Sequence, residues 1–264
     1  MAHIDLGFPQ VGLSRLAATY PFEAPIEFFD DFVTPTFAEF NSAANAASST
    51  TKYYVGGTTG GAAPTISIAT IPIVTSSEGG LLRFTTTANA GDTMVATPPG
   101  GFLRAAYNTQ TPRTIVFQGR LTPIAISASS QTMGLTTVGG VTGVTTPFLV
   151  QAFGFYFVVV NGAVQVSYKT SAVTVAAAAV TYLSGPLTGT AVTATASTAM
   201  TFGIIYDGRG AVNFYVNGYL VKSASLATFT TLDLKPFWGL LGNAQSCDFD
   251  YVYAAAQPTF PGRS

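Results

Sequence analysis

Between Phe202 and Val221 the chain reads FGIIYDGRGAVNFYVNGYLV, and apolar runs there are cut by turn dipeptides at short intervals. Gly203-Ile204-Ile205-Tyr206 predicts one strand and Val212-Asn213-Phe214-Tyr215-Val216 a second. Tyr219-Leu220-Val221 resumes as a third. Asp207-Gly208 and Asn217-Gly218 are pairs that supply the positive φ angles of tight hairpin turns. The segment therefore predicts a three-stranded antiparallel meander.

The same reading applied along the chain finds many short strands and little helix. Strands are expected at Pro25–Phe32, Lys52–Val55, Thr65–Ile73, Leu81–Thr87 and Thr93–Ala96. Thr114–Leu121 alternates apolar with polar or small residues, as a half-buried strand does. Phe148–Val160 is strongly apolar and is expected to be central. Asn161-Gly162 then turns the chain into Val164–Lys169. Thr231–Leu241 carries the one tryptophan, Trp238, and Cys247–Ala254 alternates as a closing strand. Short helices are candidates at Phe37–Ala47 and Ala176–Ala179. Many strands at close spacing with Gly and Pro turns predict an all-β, antiparallel sandwich. No repeat of 20–50 residues points to a propeller or solenoid.

Residues 1–20 stand apart. They hold Ile4, Leu6, Phe8, Val11, Leu13 and Leu16 without a sustained period, broken by Gly7, Pro9 and Gly12. They read as an arm that, extended, spans about 65 Å and docks its apolar groups on a neighbour. The other reading is an edge strand or tail of the same domain. The expected organisation is an arm at 1–20, a sandwich at 21–256 and a Pro- and Gly-punctuated tail at 257–264.

Composition narrows the function classes. Only 9% of residues are charged, against about 25% in average domains, while 48% are hydrophobic; net charge is −1 and mean hydropathy +0.39. The scattered Arg and Lys form no patch for phosphates, so nucleic acid is not an expected partner. No run reaches the ~18 apolar residues of a spanning helix, and no basic region precedes an apolar block in the manner of a signal peptide. Sparse charge then predicts surface hidden in an assembly, a homo-oligomer. With one Cys, Cys247, and one His, His3, no disulfide, zinc site or Cys/His pair is expected. Cys247 reads as a small packed side chain.

Named residues bear on several chemistries. Asp248-x-Asp250 places two carboxylates on one face of a strand, a candidate hydrolytic or metal pair; the alternative is that an Arg or Lys takes up a carboxylate. Asp30, Asp31 and Asp207 are the calcium candidates, but no Asp-x-Asp-x-Asp-Gly loop accompanies them. No cofactor is expected, and no catalytic residue is assigned. Glycan binding needs aromatic rings beside amides. Tyr215, Asn217 and Tyr219, two apart in sequence, are expected on one face, with Trp238 as a further ring. The competing role for these aromatics is packing.

The meander, with its Asp-Gly and Tyr-Val-Asn-Gly turns, resembles concanavalin A-like (laminin-G-like) jelly rolls. Phe28-Phe29-Asp30-Asp31-Phe32, Gly79–Phe84, Ile115–Leu121, the meander and Phe249-Asp250-Tyr251-Val252 occur in an order similar to that of tailed-phage virion proteins with this fold. The similarity spans roughly residues 25–255. It implies a non-enzymatic capsid decoration or cement protein on the virion surface. Its implied partners are its own copies, as a trimer, and the major capsid protein or another virion protein. The alternative is a carbohydrate-binding module of a phage fibre or adhesin.

Overall fold

The computed structural model describes residues 26–30, 40–41, 53–56, 81–86, 93–98, 103–107, 112–127, 129–137, 153–171, 173–226, 228–242 and 244–258. The arm at 1–20, the strand expected at Thr65–Ile73, and Asp31 lie outside them. Within them the strands are β1 (Ile26–Asp30), β2 (Phe40–Asn41), β3 (Tyr53–Gly56), β4 (Leu82–Thr85), β5 (Thr93–Thr97), β6 (Leu103–Ala105), β7 (Arg113–Pro123) and β8 (Ser129–Thr136). They continue with β9 (Gly154–Val160), β10 (Ala163–Lys169), β11 (Thr174–Ala179), β12 (Met200–Tyr206), β13 (Ala211–Val216), β14 (Tyr219–Ser225), β15 (Leu232–Gly242) and β16 (Ser246–Pro258).

The strands make two sheets. One runs β1-β16-β7-β12-β13-β14, with β4 also on β16; the other runs β11-β10-β9-β8-β15-β5-β3-β2, with β6 also on β15. All pairings are antiparallel except the short β2–β3 contact. The fold is an all-β jelly-roll sandwich of two sheets, as the pattern predicts.

Alternation along the strands sends one set of side chains between the sheets. In β13, Val212, Phe214 and Val216 are buried while Ala211, Asn213 and Tyr215 are half-buried on the outward face. Phe157 of β9 meets Phe202 at 4.8 Å and Phe214 at 5.4 Å between ring centroids. Phe155 stacks on Tyr206 at 5.7 Å. Such offset and edge-on pairs add about 0.5–1.5 kcal/mol each beyond their burial. These contacts place β9 over β12 and β13.

The turns follow their sequence signals. Asn161 (φ 48°) and Gly162 (φ 82°), and Asn217 (φ 50°) and Gly218 (φ 84°), form two-residue hairpin turns with both residues left-handed. Asp207-Gly208 turns differently. Positive φ falls on Gly208 (76°) and Gly210 (108°), not on Asp207. The Asp207 carboxylate instead accepts hydrogen bonds from the backbone N–H groups of Arg209 (2.7 Å) and Ala211 (2.9 Å).

Three expectations are corrected. Ala176–Ala179 is extended, in β11, because pairing with β10 outweighs the helix preference of alanine. Phe40 and Asn41, inside the helix expected at Phe37–Ala47, pair with β3. β16 continues through Gln257 and Pro258, opposite Thr114 and Arg113, two residues into the segment read as tail.

Candidate functional site

At the tip of the β13–β14 hairpin, candidate residues meet exposed apolar groups. Asn217 ties the tip to β12: its N–H donates to the Thr201 carbonyl (2.8 Å), and its Oδ1 accepts from the Thr201 N–H (2.9 Å). Beyond the turn, Tyr219 stands opposite Val216. A loop from Tyr182 to Thr190 folds against it. The Leu183 N–H donates to the Leu220 carbonyl (2.7 Å), and the Leu220 N–H donates to Ser184 Oγ (2.9 Å).

That loop is held from within. Gly189 N–H donates to the Tyr182 carbonyl (2.8 Å) and Tyr182 N–H to the Thr190 carbonyl (3.0 Å). The Thr188 and Thr190 hydroxyls donate to the Gly185 and Leu187 carbonyls at 2.7 and 2.6 Å. The Tyr219 ring covers Gly185, whose φ of +84° favours glycine and where any Cβ would collide with the ring. Tyr182 meets the same ring edge-on at 6.2 Å. Burial, and then Tyr219 itself, pushes the Tyr182 phenol up.

What remains in solvent is apolar and neutral. Leu183 is 50% exposed, Leu187 48% and Tyr219 36%. From Thr170 to Tyr206, and from Ala211 to Val221, the sequence contains no Asp, Glu, Lys, Arg or His. The tip thus offers a backed aromatic ring, a side-chain amide and hydroxyls, and no group that titrates near neutral pH. Such a set can act through ring stacking and neutral hydrogen bonds.

Of the predicted glycan residues, the structure brings Asn217 and Tyr219 together and separates the other two. Tyr215 lies on the outward face of its sheet, opposite Gly203, whereas Tyr219 shares the inward-facing row of Val216. The two-residue turn consumes positions 217 and 218, so the alternation that would align 215, 217 and 219 does not pass through it. Tyr215 belongs instead to a cross-strand row with Gly203, Gln118 and Tyr253. Beside that row Gln118 Nε2 donates to the Tyr251 hydroxyl at 2.5 Å. Trp238 is fully buried between the sheets, in register with Met133 and Ala96. A tryptophan with no solvent face is not a sugar platform. Sequence reasoning missed Tyr182, Leu183, Ser184, Gly185 and Leu187. Its available signal was the Ser-Gly-Pro and Thr-Gly punctuation around two leucines.

The acidic candidates are engaged elsewhere. Asp248 takes a two-pronged ion pair from Arg83, and Asp250 pairs with Arg120 Nη1 at 2.9 Å. Each carboxylate has its own cation, which is the alternative that the sequence offered for this pair. Asp207 closes its own turn, and Asp30 is buried at the end of β1. Among the described residues no three His, Cys, Asp or Glu side chains gather as a metal site, and no helix is long and apolar enough to cross a membrane. Cys247 is fully buried, and burial pushes its thiol well above the ordinary range, which suits packing rather than nucleophilic attack.

The architecture is that of a concanavalin A-like jelly roll of two antiparallel sheets. No protein-family profile matches the chain, and no curated protein matches it in sequence. Among solved structures it is similar to a protein of unknown function from Shewanella oneidensis MR-1, at 16% identity and TM-score 0.50, over 91% of this chain and 89% of that one. It is also similar to the potassium-bound carbohydrate recognition domain of Emp46p, at 8% identity and TM-score 0.47, over 77% and 88%. A third is the alginate lyase AlyC3, at 11% identity and TM-score 0.45, over 67% and 75%.

Proposed function

We propose that this chain is a non-enzymatic, lectin-like module that binds an uncharged glycan at the β13–β14 tip. One observation carries the reading. The exposed Tyr219 ring is backed by Gly185 and Tyr182, with the Asn217 amide two residues away on a fixed turn. A sugar ring stacks its C–H face on such a phenol, while amide and hydroxyl groups meet its hydroxyls. The site is built before ligand arrives, which lowers the ordering cost of binding. The uncharged runs that carry these residues favour neutral over acidic sugars. Carried on a phage fibre or adhesin, such a module recognises a host surface.

Capsid decoration is the second reading. It places the chain on the virion surface, bound to its own copies and to the major capsid protein, as the sequence resemblance implies. The observation that favours it is the exposure of Leu183 and Leu187 on a tied loop, which suits a protein contact. A panel of neutral and acidic oligosaccharides, probed with the full chain, separates the two. The glycan reading expects binding to neutral sugars that falls about tenfold or more, roughly 1.4 kcal/mol, in Tyr219→Ala. Asn217→Gly, which keeps the turn's backbone, weakens it as well. Failure to bind any glycan, with stoichiometric recovery on purified virions, overturns it in favour of decoration.

A further inference from the structure

The two open edges on the β11/β14 side of the sandwich are guarded differently. Tyr168 of β10 meets Phe214 of β13 at 6.2 Å, so the next strands outward, β11 and β14, lie on the same side. β14 carries Lys222, and the main-chain groups of its Leu220 are taken by Leu183 and Ser184. Charge and cover of this kind keep an edge from pairing with another chain. β11 has neither. Its sequence is Thr-Val-Ala-Ala-Ala-Ala; Thr174, Ala176, Ala178 and Ala179 are exposed, and among the described residues only β10 pairs with it. Its single irregularity is a bulge opposite Ser167, where register passes from Val166↔Ala178 to Tyr168↔Val175. Ser167 Oγ fixes that bulge from inside, donating to the Val175 carbonyl at 2.9 Å.

We infer that β11 is a self-association edge: it pairs antiparallel with β11 of a second copy across a two-fold axis, joining two sheets into one. Three features select a second copy as the occupant. The run from Thr170 to Tyr206 is uncharged, so like meets like without repulsion, and a charged partner gains no attraction. β11 has no proline, so every position keeps the main-chain N–H that a second β11 would pair with. An isologous pairing consumes both edges at once and closes at two. The assembly it builds is a dimer rather than the trimer implied by the sequence resemblance. The edge shares no residue with the Asn217–Tyr219 tip, so its test does not depend on glycan binding.

The experiment is sedimentation velocity of the full chain across the micromolar range. The expected result is a concentration-dependent dimer whose dissociation constant rises at least about tenfold in Ala176→Lys and in Ala178→Lys, with unchanged melting temperature. Hydrogen exchange on the unmodified protein gives a second readout that needs no variant: amides within 174–179 gain protection as concentration rises. A chain that stays monomeric overturns the inference. So does an oligomer that both lysine variants leave intact, or exchange at 174–179 that is indifferent to concentration.

Discussion

Arg83 grips Asp248 with two nitrogens, Nε on Oδ1 at 2.6 Å and Nη2 on Oδ2 at 2.8 Å, across the β4–β16 pairing. The bond to Asp248 raises the Arg83 pKa despite some desolvation. The Asp248 side chain is 7% exposed and that of Arg83 35%. Arg83→Met therefore strands a buried carboxylate. A fully buried pair costs about 3–5 kcal/mol to break; with Arg83 a third in water, the expected loss is about 2 kcal/mol. In the second pair Arg120 is 47% exposed, and Arg120→Met costs less than about 1 kcal/mol. Urea unfolding of both variants checks the order; equal losses refute it.

Gly208 and Gly218 both turn hairpins at positive φ, 76° and 84°, yet they tolerate substitution differently. A Cβ at Gly218 meets nothing within 4 Å, so Gly218→Ala costs only the left-handed backbone, about 1–2 kcal/mol. A Cβ at Gly208 lands 2.7 Å from the Arg113 carbonyl oxygen and 2.9 Å from Pro112 Cβ. Gly208→Ala adds a backbone collision to the same strain and should lower the melting temperature several degrees further. Matching melting curves for the two variants would count against this account.

Alkaline pH should unfold the protein early. Burial, with help from Glu27, pushes the Tyr253 hydroxyl up to about 12, and burial raises Tyr251, Tyr206 and Tyr156. The unfolded chain loses these protons near pH 10. Their contribution to stability is whole below pH 10 and is lost as pH climbs toward 12. Lys235, buried and lowered, works in the opposite sense but alone. Denaturant midpoints between pH 9 and 12, set by these values, should fall, and less steeply in Tyr253→Phe.

Cys247 should not react in the folded chain. It is fully buried with a raised thiol pKa, and the thiolate is the reacting form. A thiol reagent should label it only after denaturant is added, one group per chain. Rapid labelling without denaturant would show that β16 opens.

The sequence spoke most clearly where two residues settle a conformation by themselves. Asn161-Gly162 and Asn217-Gly218 announce their turns because few other pairs accept left-handed φ twice in succession. Asp207-Gly208 announces a turn but not its kind, since the aspartate works through its side chain. Ala176–Ala179 misleads because alanine's local preference is helical and β10 decides otherwise. The site was half legible. Asn217 and Tyr219 lie on the turn that marks them. Tyr182, Ser184 and Gly185 reach them only through the folded path of a loop more than thirty residues upstream, which no local pattern encodes. Trp238 was indistinguishable from an exposed ring, because alternation gives the face of a strand but not which sheet covers it.

The neutral run from Thr170 to Tyr206 fixes how this side of the molecule meets anything at all. Dissolved ions act on a contact by screening charge, over about 8 Å at physiological ionic strength. Along β11 itself they find no charge to screen. Without electrostatic steering, encounters proceed at an unaided rate of about 10⁵–10⁶ M⁻¹s⁻¹. A partner of this edge would meet it slowly and by chance, in fresh water and in brine alike, and the persistence of such a contact would come from shape and main-chain pairing.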